Sequence, residues 1–178
     1  RAQDASPLAY NRAALYSGKA LSFDGVNDSV SVADSDDLDG FTNFTYSVIA
    51  KADSTPNYCR LFDKGTDTFL GAFNLTDQPY FYINSSVIQF YYVLKLNEYI
   101  HFSIVFTGGT DVKLYVNGVL EETKTHSIAS TGTNSANLAI GSNNALDGNV
   151  WDGQMSNVKL FNTALTAAQI ADLYNFPE

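Results

Sequence analysis

The chain has 178 residues, 45% apolar and 13% aromatic, which is enough to bury one substantial core and close to the size of one domain. Its 10 basic and 19 acidic side chains give a formal net charge of −9. A chain this acidic repels phosphate backbones and anionic lipid surfaces, so we expect neither nucleic acid nor a membrane as its partner.

The first segment differs from the rest of the chain. Residues 1–18 contain five Ala, one Pro and no period-two alternation, which predicts an arm or linker that is partly helical over residues 12–16. From residue 19 onward, short runs of alternating apolar residues are typical of half-buried strands. The runs are 20–23, 30–32, 45–49, 69–73, 80–83, 87–93, 100–106, 112–116, 138–140 and 155–161. About ten strands joined by turns predict an antiparallel sandwich or barrel.

Turn residues separate several of these runs and support the same fold. Pairs that tolerate positive φ occur at Asp24-Gly25, Gly108-Gly109, Asn117-Gly118 and Asp147-Gly148. Asn117-Gly118 lies between two apolar runs and predicts a tight hairpin. One helix is predicted near the C-terminal end, capped by Thr163 or Thr166. Its apolar positions share one face and are Ala167, Ile170, Leu173 and Tyr174.

Four segments, in their order along the chain, resemble a known family. Residues 21–32 (LSFDGVNDSVSV) match its opening strand and turn, and residues 44–51 (FTYSVIAK) match its second core strand. Residues 99–118 match its central hairpin, and residues 138–170 match its last strands and terminal helix. The family is the laminin-G-like, pentraxin-like jelly roll of the concanavalin A-like lectin/glucanase superfamily. The resemblance implies an all-β, antiparallel two-sheet jelly-roll sandwich with one short C-terminal helix, in a domain spanning residues 19–178.

The same resemblance implies a calcium site. Its ligands would be the oxygen donors Asp67, Asn143, Asn144 and Asp147, which are of the hard type that Ca²⁺ binds. Pentraxin-like members place ligands of a rim calcium at the position of Asp67, and a second loop contributes more at the position of Asn143 and Asn144. Two loops distant in sequence would then meet at one edge of the sandwich. The alternative interpretation is that these residues form ordinary Asx turns.

A second group of acidic residues lies near the start of the domain. Asp24 and Asp28 flank a Gly-Val-Asn sequence, and further Asp residues follow over residues 34–39. They could form a cation loop, but the spacing does not match an EF-hand. We favour the interpretation that Asp24 and Asp28 brace a tight turn through hydrogen bonds to the backbone, and that the later Asp residues belong to a solvated loop.

Aromatic residues supply the third candidate site. Sugar C–H faces stack on aromatic rings, so a sheet face lined by Tyr and Trp is typical of a glycan site. Alternation places Tyr80 and Tyr82 on one face of their strand and Phe81 on the other. We therefore predict glycan binding by Tyr80, Tyr82 and Trp151, partly exposed beside the rim. The alternative is that these rings belong to the sandwich core.

Catalysis is not expected. The glucanases of this superfamily carry a Glu-x-Asp-x-x-Glu strand, which is missing from this sequence. Glu121 and Glu122 are adjacent in a strand and so point to opposite faces. The neighbours of His101 in the sequence offer no partnered Ser or Cys, and two His with one Cys are too few for a typical zinc site.

Two functions from different classes remain. The first is a non-catalytic carbohydrate-binding or adhesion module, extracellular and assisted by calcium, whose partner is a glycan or glycoprotein. The second is a structural or surface subunit of a virion, of the phage capsid decoration or fibre type, or of an extracellular filament. In that case residues 1–18 would contact a neighbouring subunit, giving a homo-oligomer or virion assembly. The rim oxygens and tyrosines favour the first function, whereas the arm and a first residue, Arg1, that is not Met favour the second.

Overall fold

A computed structural model of the protein describes residues 20–55, 58–65, 68–146 and 148–176. Within these ranges the chain forms twelve strands, a short 3₁₀ helix at Asp36–Leu38 and one α-helix. The strands are β1 (Leu21–Asp24), β2 (Val30–Val32), β3 (Asn43–Ser54), β4 (Arg60–Asp63), β5 (Phe69–Phe73), β6 (Pro79–Ile83), β7 (Ser86–Gln89), β8 (Ile100–Thr107), β9 (Asp111–Val116), β10 (Val119–Thr125), β11 (Leu138–Ile140) and β12 (Asp152–Phe161), and the helix is α1 (Ala167–Asn175). The arm predicted for residues 1–18 lies outside the described residues.

The strands form two antiparallel six-stranded sheets packed as a sandwich. Sheet A has the order β1-β12-β3-β8-β9-β10, and sheet B has the order β2-β11-β4-β5-β6-β7. The predicted all-β, two-sheet sandwich with one short C-terminal helix is confirmed. One predicted boundary was wrong, because the run at 87–93 is a strand only as far as Gln89. Beyond it the chain turns toward sheet A, where the Tyr91 N–H donates a hydrogen bond to Glu122.

The main core lies between the sheets and is largely aromatic. Phe44 of β3 stacks on Phe106 of β8, with 5.4 Å between ring centroids, and reaches Phe69 of sheet B at 5.2 Å. Tyr46 of β3 and Phe62 of β4 meet in the same way across the sandwich. A second, smaller core forms where Ile170 of α1 packs on the outer face of sheet A.

Two local predictions are confirmed. Asn117 and Gly118, with φ values of 50° and 79°, form the two-residue turn between β9 and β10, as a hairpin with two left-handed residues requires. Thr166 caps α1 in a capping box with Gln169. Among the described residues, no helix is long and apolar enough to cross a membrane.

Candidate functional site

The outer face of sheet B carries a cluster of aromatic and charged side chains. Phe81 and Ile83 of β6 point into the core, whereas Tyr80 and Tyr82 point away from it, which confirms the predicted alternation. We call this surface the tyrosine face. It comprises Tyr58, Arg60, Asp63, Ala72, Tyr80, Tyr82 and Gln89.

Strand register explains why these residues are neighbours. Arg60 of β4 pairs with Ala72 of β5, Ala72 pairs with Tyr80 of β6, and Tyr80 pairs with Gln89 of β7. These four residues form one row across the sheet. Since Ala72 is small, the Arg60 guanidinium can reach over it to the Tyr80 ring, whose centroid lies 5.8 Å from Cζ. The residue order in the four strands therefore brings a cation and a phenol together on the outer surface.

Arg60 is the centre of the polar contacts on this face. Its Nε donates to Asp63 Oδ2 at 3.2 Å. Its Nη1 donates to the backbone oxygen of Tyr58 at 3.3 Å and to the Tyr80 hydroxyl. These bonds fix the position of the guanidinium on the outer face of the sheet. Burial is the main cause of a raised pKa at the Tyr80 hydroxyl, so this phenol stays protonated at neutral pH.

The three tyrosine rings differ in exposure. Tyr80 is only 5% exposed and lies between Tyr58 and Tyr82, with 5.9 Å between its ring centroid and each of theirs. Tyr58 is 44% exposed, and Tyr82 is half-buried. Tyr80 therefore contributes almost no accessible surface to the face. The accessible ring surface belongs to the two tyrosines that flank it.

The predicted exposure of Trp151 and Tyr80 is wrong. Trp151 is fully buried between the sheets, with its ring 5.9 Å from Phe73, so it cannot stack on a sugar. Its backbone N–H donates to the Gly141 oxygen and its backbone oxygen accepts from the Gly25 N–H, so the backbone of Trp151 is held between two turns while its ring lies in the core. Tyr80 is covered by side chains from β4 and the loop before it. Of the three predicted glycan-binding residues, Tyr82 alone is partly exposed.

Two loops meet beside the tyrosine face at Asp63, which sequence reasoning did not identify. Its carboxylate accepts hydrogen bonds from the Gly65 N–H at 2.7 Å, from the Asn144 N–H and from Arg60. The side chain is almost completely buried, and this burial raises its pKa despite those three donors. One carboxylate thus joins the β4–β5 loop to the loop that follows β11.

The predicted calcium ligands lie in these same two loops. Asn143 donates its N–H to the Gly148 oxygen at 3.0 Å, and the Asn144 N–H is engaged by Asp63. Asp67 and Asp147 lie outside the described residues. Within the described part of the chain, no group of three or more His, Cys, Asp or Glu residues is arranged to hold a metal ion. The calcium site remains a prediction.

The acidic residues near the start of the domain have two roles. Asp24 Oδ1 accepts from the N–H groups of Val26 and Asn27 at 2.9 and 3.2 Å, and Asp28 accepts from the Asp24 N–H. These bonds brace the turn, as predicted. The first two of them are also the main cause of a lowered pKa at Asp24.

Asp34, Asp36 and Asp37 are exposed, as predicted for a solvated loop, but the loop also makes contacts that the sequence did not predict. Asp34 and Asp39 form ion pairs with Lys64, whose side chain is fully buried. The Lys64 ammonium also donates to the Ala136 backbone oxygen at 2.6 Å and to Asn134 Oδ1 at 3.2 Å. The β4–β5 loop, which carries Lys64, therefore meets the β2–β3 loop and the β10–β11 loop at the rim of the sandwich.

His101 has two serine partners, and since one of them, Ser103, is only two residues away, the expectation that its sequence neighbours offer no partnered Ser was wrong. Its Nε2 lies 2.8 Å from Ser47 Oγ of β3 and 3.3 Å from Ser103 Oγ. All three residues are buried, and the His101 ring stacks on Tyr174 of α1 with 5.8 Å between centroids. A Ser-His pair buried beneath a helix is closed to substrate, and the stacking of His101 on Tyr174 contributes to the packing of α1 on sheet A.

Comparison with known proteins agrees with this architecture. The Laminin_G_3 family model, of the concanavalin A-like lectin/glucanases superfamily, matches residues 24–171, and the chain belongs to this family. No curated protein sequence matches the chain.

Several solved structures share the fold. A Bacteroides ovatus protein described as carbohydrate binding has a TM-score of 0.71 and 16% identity. The match covers 88% of this chain and 47% of the Bacteroides protein, so this chain spans about half the length of that protein. Domain 4 of AbnA, an extracellular arabinanase from Geobacillus stearothermophilus solved with arabinotriose, has a TM-score of 0.66 and 17% identity over 82% of this chain and 72% of that one. A heptameric pentraxin from Limulus polyphemus has a TM-score of 0.62 and 18% identity over 87% and 81%.

Proposed function

We propose that this domain is a non-catalytic carbohydrate-binding module and that the tyrosine face is its glycan-binding surface. The observation that carries the proposal is the arrangement of Tyr58 and Tyr82 around the Arg60–Tyr80 pair on the outer face of sheet B. The neighbours described as binding carbohydrate, including one solved with arabinotriose, support the same class of ligand. An extracellular location and assistance by calcium at the adjoining rim belong to the proposal.

The chemistry of the face suits a sugar. A pyranose or furanose ring presents apolar C–H groups on one side and hydroxyl groups around its edge, so it needs both an aromatic platform and polar partners. Tyr58 and Tyr82 supply ring surface that is partly open to solvent. Gln89 lies on the edge strand β7, and its amide nitrogen donates to the backbone oxygens of Pro79 and Phe90. Its Oε1 accepts one hydrogen bond, from Asn74 at 3.4 Å, and has a second lone pair with which to accept from a sugar hydroxyl.

The test is binding of the intact chain to a glycan array that spans plant, bacterial and animal oligosaccharides, followed by calorimetry on the oligosaccharides that bind. We expect Tyr82→Ala to weaken binding tenfold or more, which corresponds to roughly 1.4 kcal/mol. Tyr58→Ala should have a similar effect, because its ring flanks Tyr80 on the other side.

Tyr99→Ala is the matched control. Tyr99 is half-buried like Tyr82, but it lies against Gln154 and Lys51 of sheet A. The control should bind glycans as the unmodified chain does. The proposal is wrong if the unmodified chain binds no glycan, or if Tyr82→Ala and Tyr99→Ala bind equally well.

A further inference from the structure

The ion pair on the tyrosine face bears on which glycans it can accept. Of the described side chains that form this face, Arg60 alone carries a positive charge. Its partner Asp63 is a carboxylate, and the side chains of the two residues are only 12% and 4% exposed. The face therefore presents a neutral pair where a binding site for acidic sugars would present an unpaired cation.

The hydrogen bonds of Arg60 reinforce this conclusion. Arginine recognises a carboxylate or sulfate best through two parallel N–H bonds, made either by Nε with one terminal nitrogen or by both terminal nitrogens. The first mode needs Nε, which donates to Asp63. The second mode needs Nη1, which donates to both Tyr58 and Tyr80. Each bidentate mode thus requires a nitrogen that the protein already uses.

The charge of the whole chain acts in the same direction. With a formal net charge of −9, the domain repels polyanions over the roughly 8 Å range of electrostatic forces at physiological salt. Asp63 itself lies within the face, so an acidic sugar placed there would approach a carboxylate.

We propose that the tyrosine face selects uncharged glycans over glycans that carry carboxylate or sulfate groups, and that Asp63 is the residue that determines this specificity. The inference rests on the proposed function, because it assigns a ligand class to the same surface. Asp63 acts in two ways: it neutralises Arg60, and it occupies Nε, the nitrogen that one of the two bidentate modes needs.

The experiment measures binding to matched pairs of neutral and acidic oligosaccharides. Suitable pairs are galacto- and galacturono-oligosaccharides of equal length, and lactose with sialyllactose. We expect the intact chain to bind the neutral member of a pair at least tenfold more tightly. Asp63→Asn keeps the side-chain shape but frees the charge of Arg60, so it should reduce that ratio by tenfold or more.

Asp53→Asn is the control, since it removes a carboxylate from the Lys51–Asp53 pair on sheet A, where the two charged atoms lie 2.7 Å apart. It should leave the ratio unchanged. A salt titration of the unmodified chain gives a second test that does not depend on a variant's folding. Affinity for the acidic member of a pair should rise relative to its neutral counterpart between about 50 and about 500 mM salt, because salt screens the repulsion by the negative charges of the domain. A ratio that does not change with salt would contradict the charge argument.

Three results would overturn the inference. The first is an acidic sugar binding as tightly as its neutral counterpart, and the second is an unchanged ratio in folded Asp63→Asn. In both cases glycan binding itself survives, so the proposed function stands while the specificity is wrong. The third is that no oligosaccharide of any pair binds, in which case both the proposed function and this inference are wrong.

Discussion

Replacing Lys64 by methionine is expected to destabilise the domain more than the same substitution of a lysine in an exposed ion pair. Methionine keeps the unbranched stem and removes the ammonium group. That ammonium lies 2.5 Å from Asp34 Oδ1, 2.6 Å from the Ala136 oxygen and 3.4 Å from Asp39 Oδ1. Without it, these acceptors and Asn134 Oδ1, which lies 3.2 Å from the ammonium, lose their shared donor.

The magnitude follows from the burial of the partners. Removing one member of a buried ion pair costs about 3–5 kcal/mol, because the other member is left desolvated and unpaired. The Asp39 side chain is 11% exposed and pays this penalty almost in full, whereas Asp34 is 33% exposed and recovers part of it from water. We therefore expect the lower end of the range, about 3 kcal/mol, and a fall in Tm of about 6–12 °C.

Urea unfolding followed by tryptophan fluorescence provides the assay. Trp151 is the only tryptophan of the chain and is fully buried, so its emission reports loss of the core. Lys51→Met is the matched control, since the Lys51 and Asp53 side chains are 21% and 44% exposed and such a pair contributes about 0–1 kcal/mol. Unfolding of the two variants at the same urea concentration would show that the buried lysine contributes no more to stability than the exposed one.

Asp34→Asn covers the case in which Lys64→Met does not fold. It retains the ammonium and its bonds to Ala136 and Asn134, so it should fold with a loss of about 1 kcal/mol. A loss indistinguishable from zero would show that this ion pair contributes nothing to stability.

Two further predictions concern the thiol and the metal. Burial raises the pKa of the Cys59 thiol to about 12 from an ordinary value of 9.0. Because the unfolded chain loses this proton at lower pH than the folded chain does, the contribution of the protonated thiol to the free energy of unfolding is complete below pH 9 and is lost as the pH rises toward about 12. The folded chain should not react with a thiol reagent at mildly alkaline pH and should react in urea; fast labelling of the folded chain would contradict this. If calcium binds at Asp67 and its predicted partners, calcium at 100-fold above its Kd should stabilise the fold by about 2.7 kcal/mol relative to EDTA. Equal melting midpoints would exclude the site, and a shift that survives Asp67→Ala would move it to the Asp24 turn.

The parts of the fold that sequence predicts well are those set by neighbouring residues. The hairpin at Asn117-Gly118 depends only on two residues that accept left-handed φ between two apolar runs. The start of α1 depends on Thr166 and on Gln169 three residues later. β4 was missed, because Leu61 and Phe62 are both buried and a register shift between Arg60 and Phe62 removes the alternation by which a strand is recognised.

The exposure of the site residues could not be predicted from the sequence. Alternation correctly placed Tyr80 and Tyr82 on one face, but their exposure depends on which other side chains cover them. Tyr80 is covered by Arg60, which lies 20 positions earlier in the sequence, and by Tyr58. Tyr58 has a left-handed φ of 58°, which the neighbouring sequence does not predict. Trp151 precedes β12 and follows no strand alternation, so its direction into the core could not be predicted.

Asp63 and Lys64 are consecutive in the chain, and their roles at the rim are linked for that reason. Asp63 ends β4 on the outer face, where it holds Arg60 and the Asn144 loop. Lys64 is anchored 30 positions away at Asp34 and 70 positions away at Asn134. Because Lys64 is one peptide bond away from Asp63, its anchoring limits the movement of the Asp63 backbone, while Arg60, Gly65 and Asn144 hold the carboxylate itself. The position of the charge that we propose to exclude acidic sugars thus depends both on Arg60 within the tyrosine face and on the buried Lys64 that follows Asp63 in the chain.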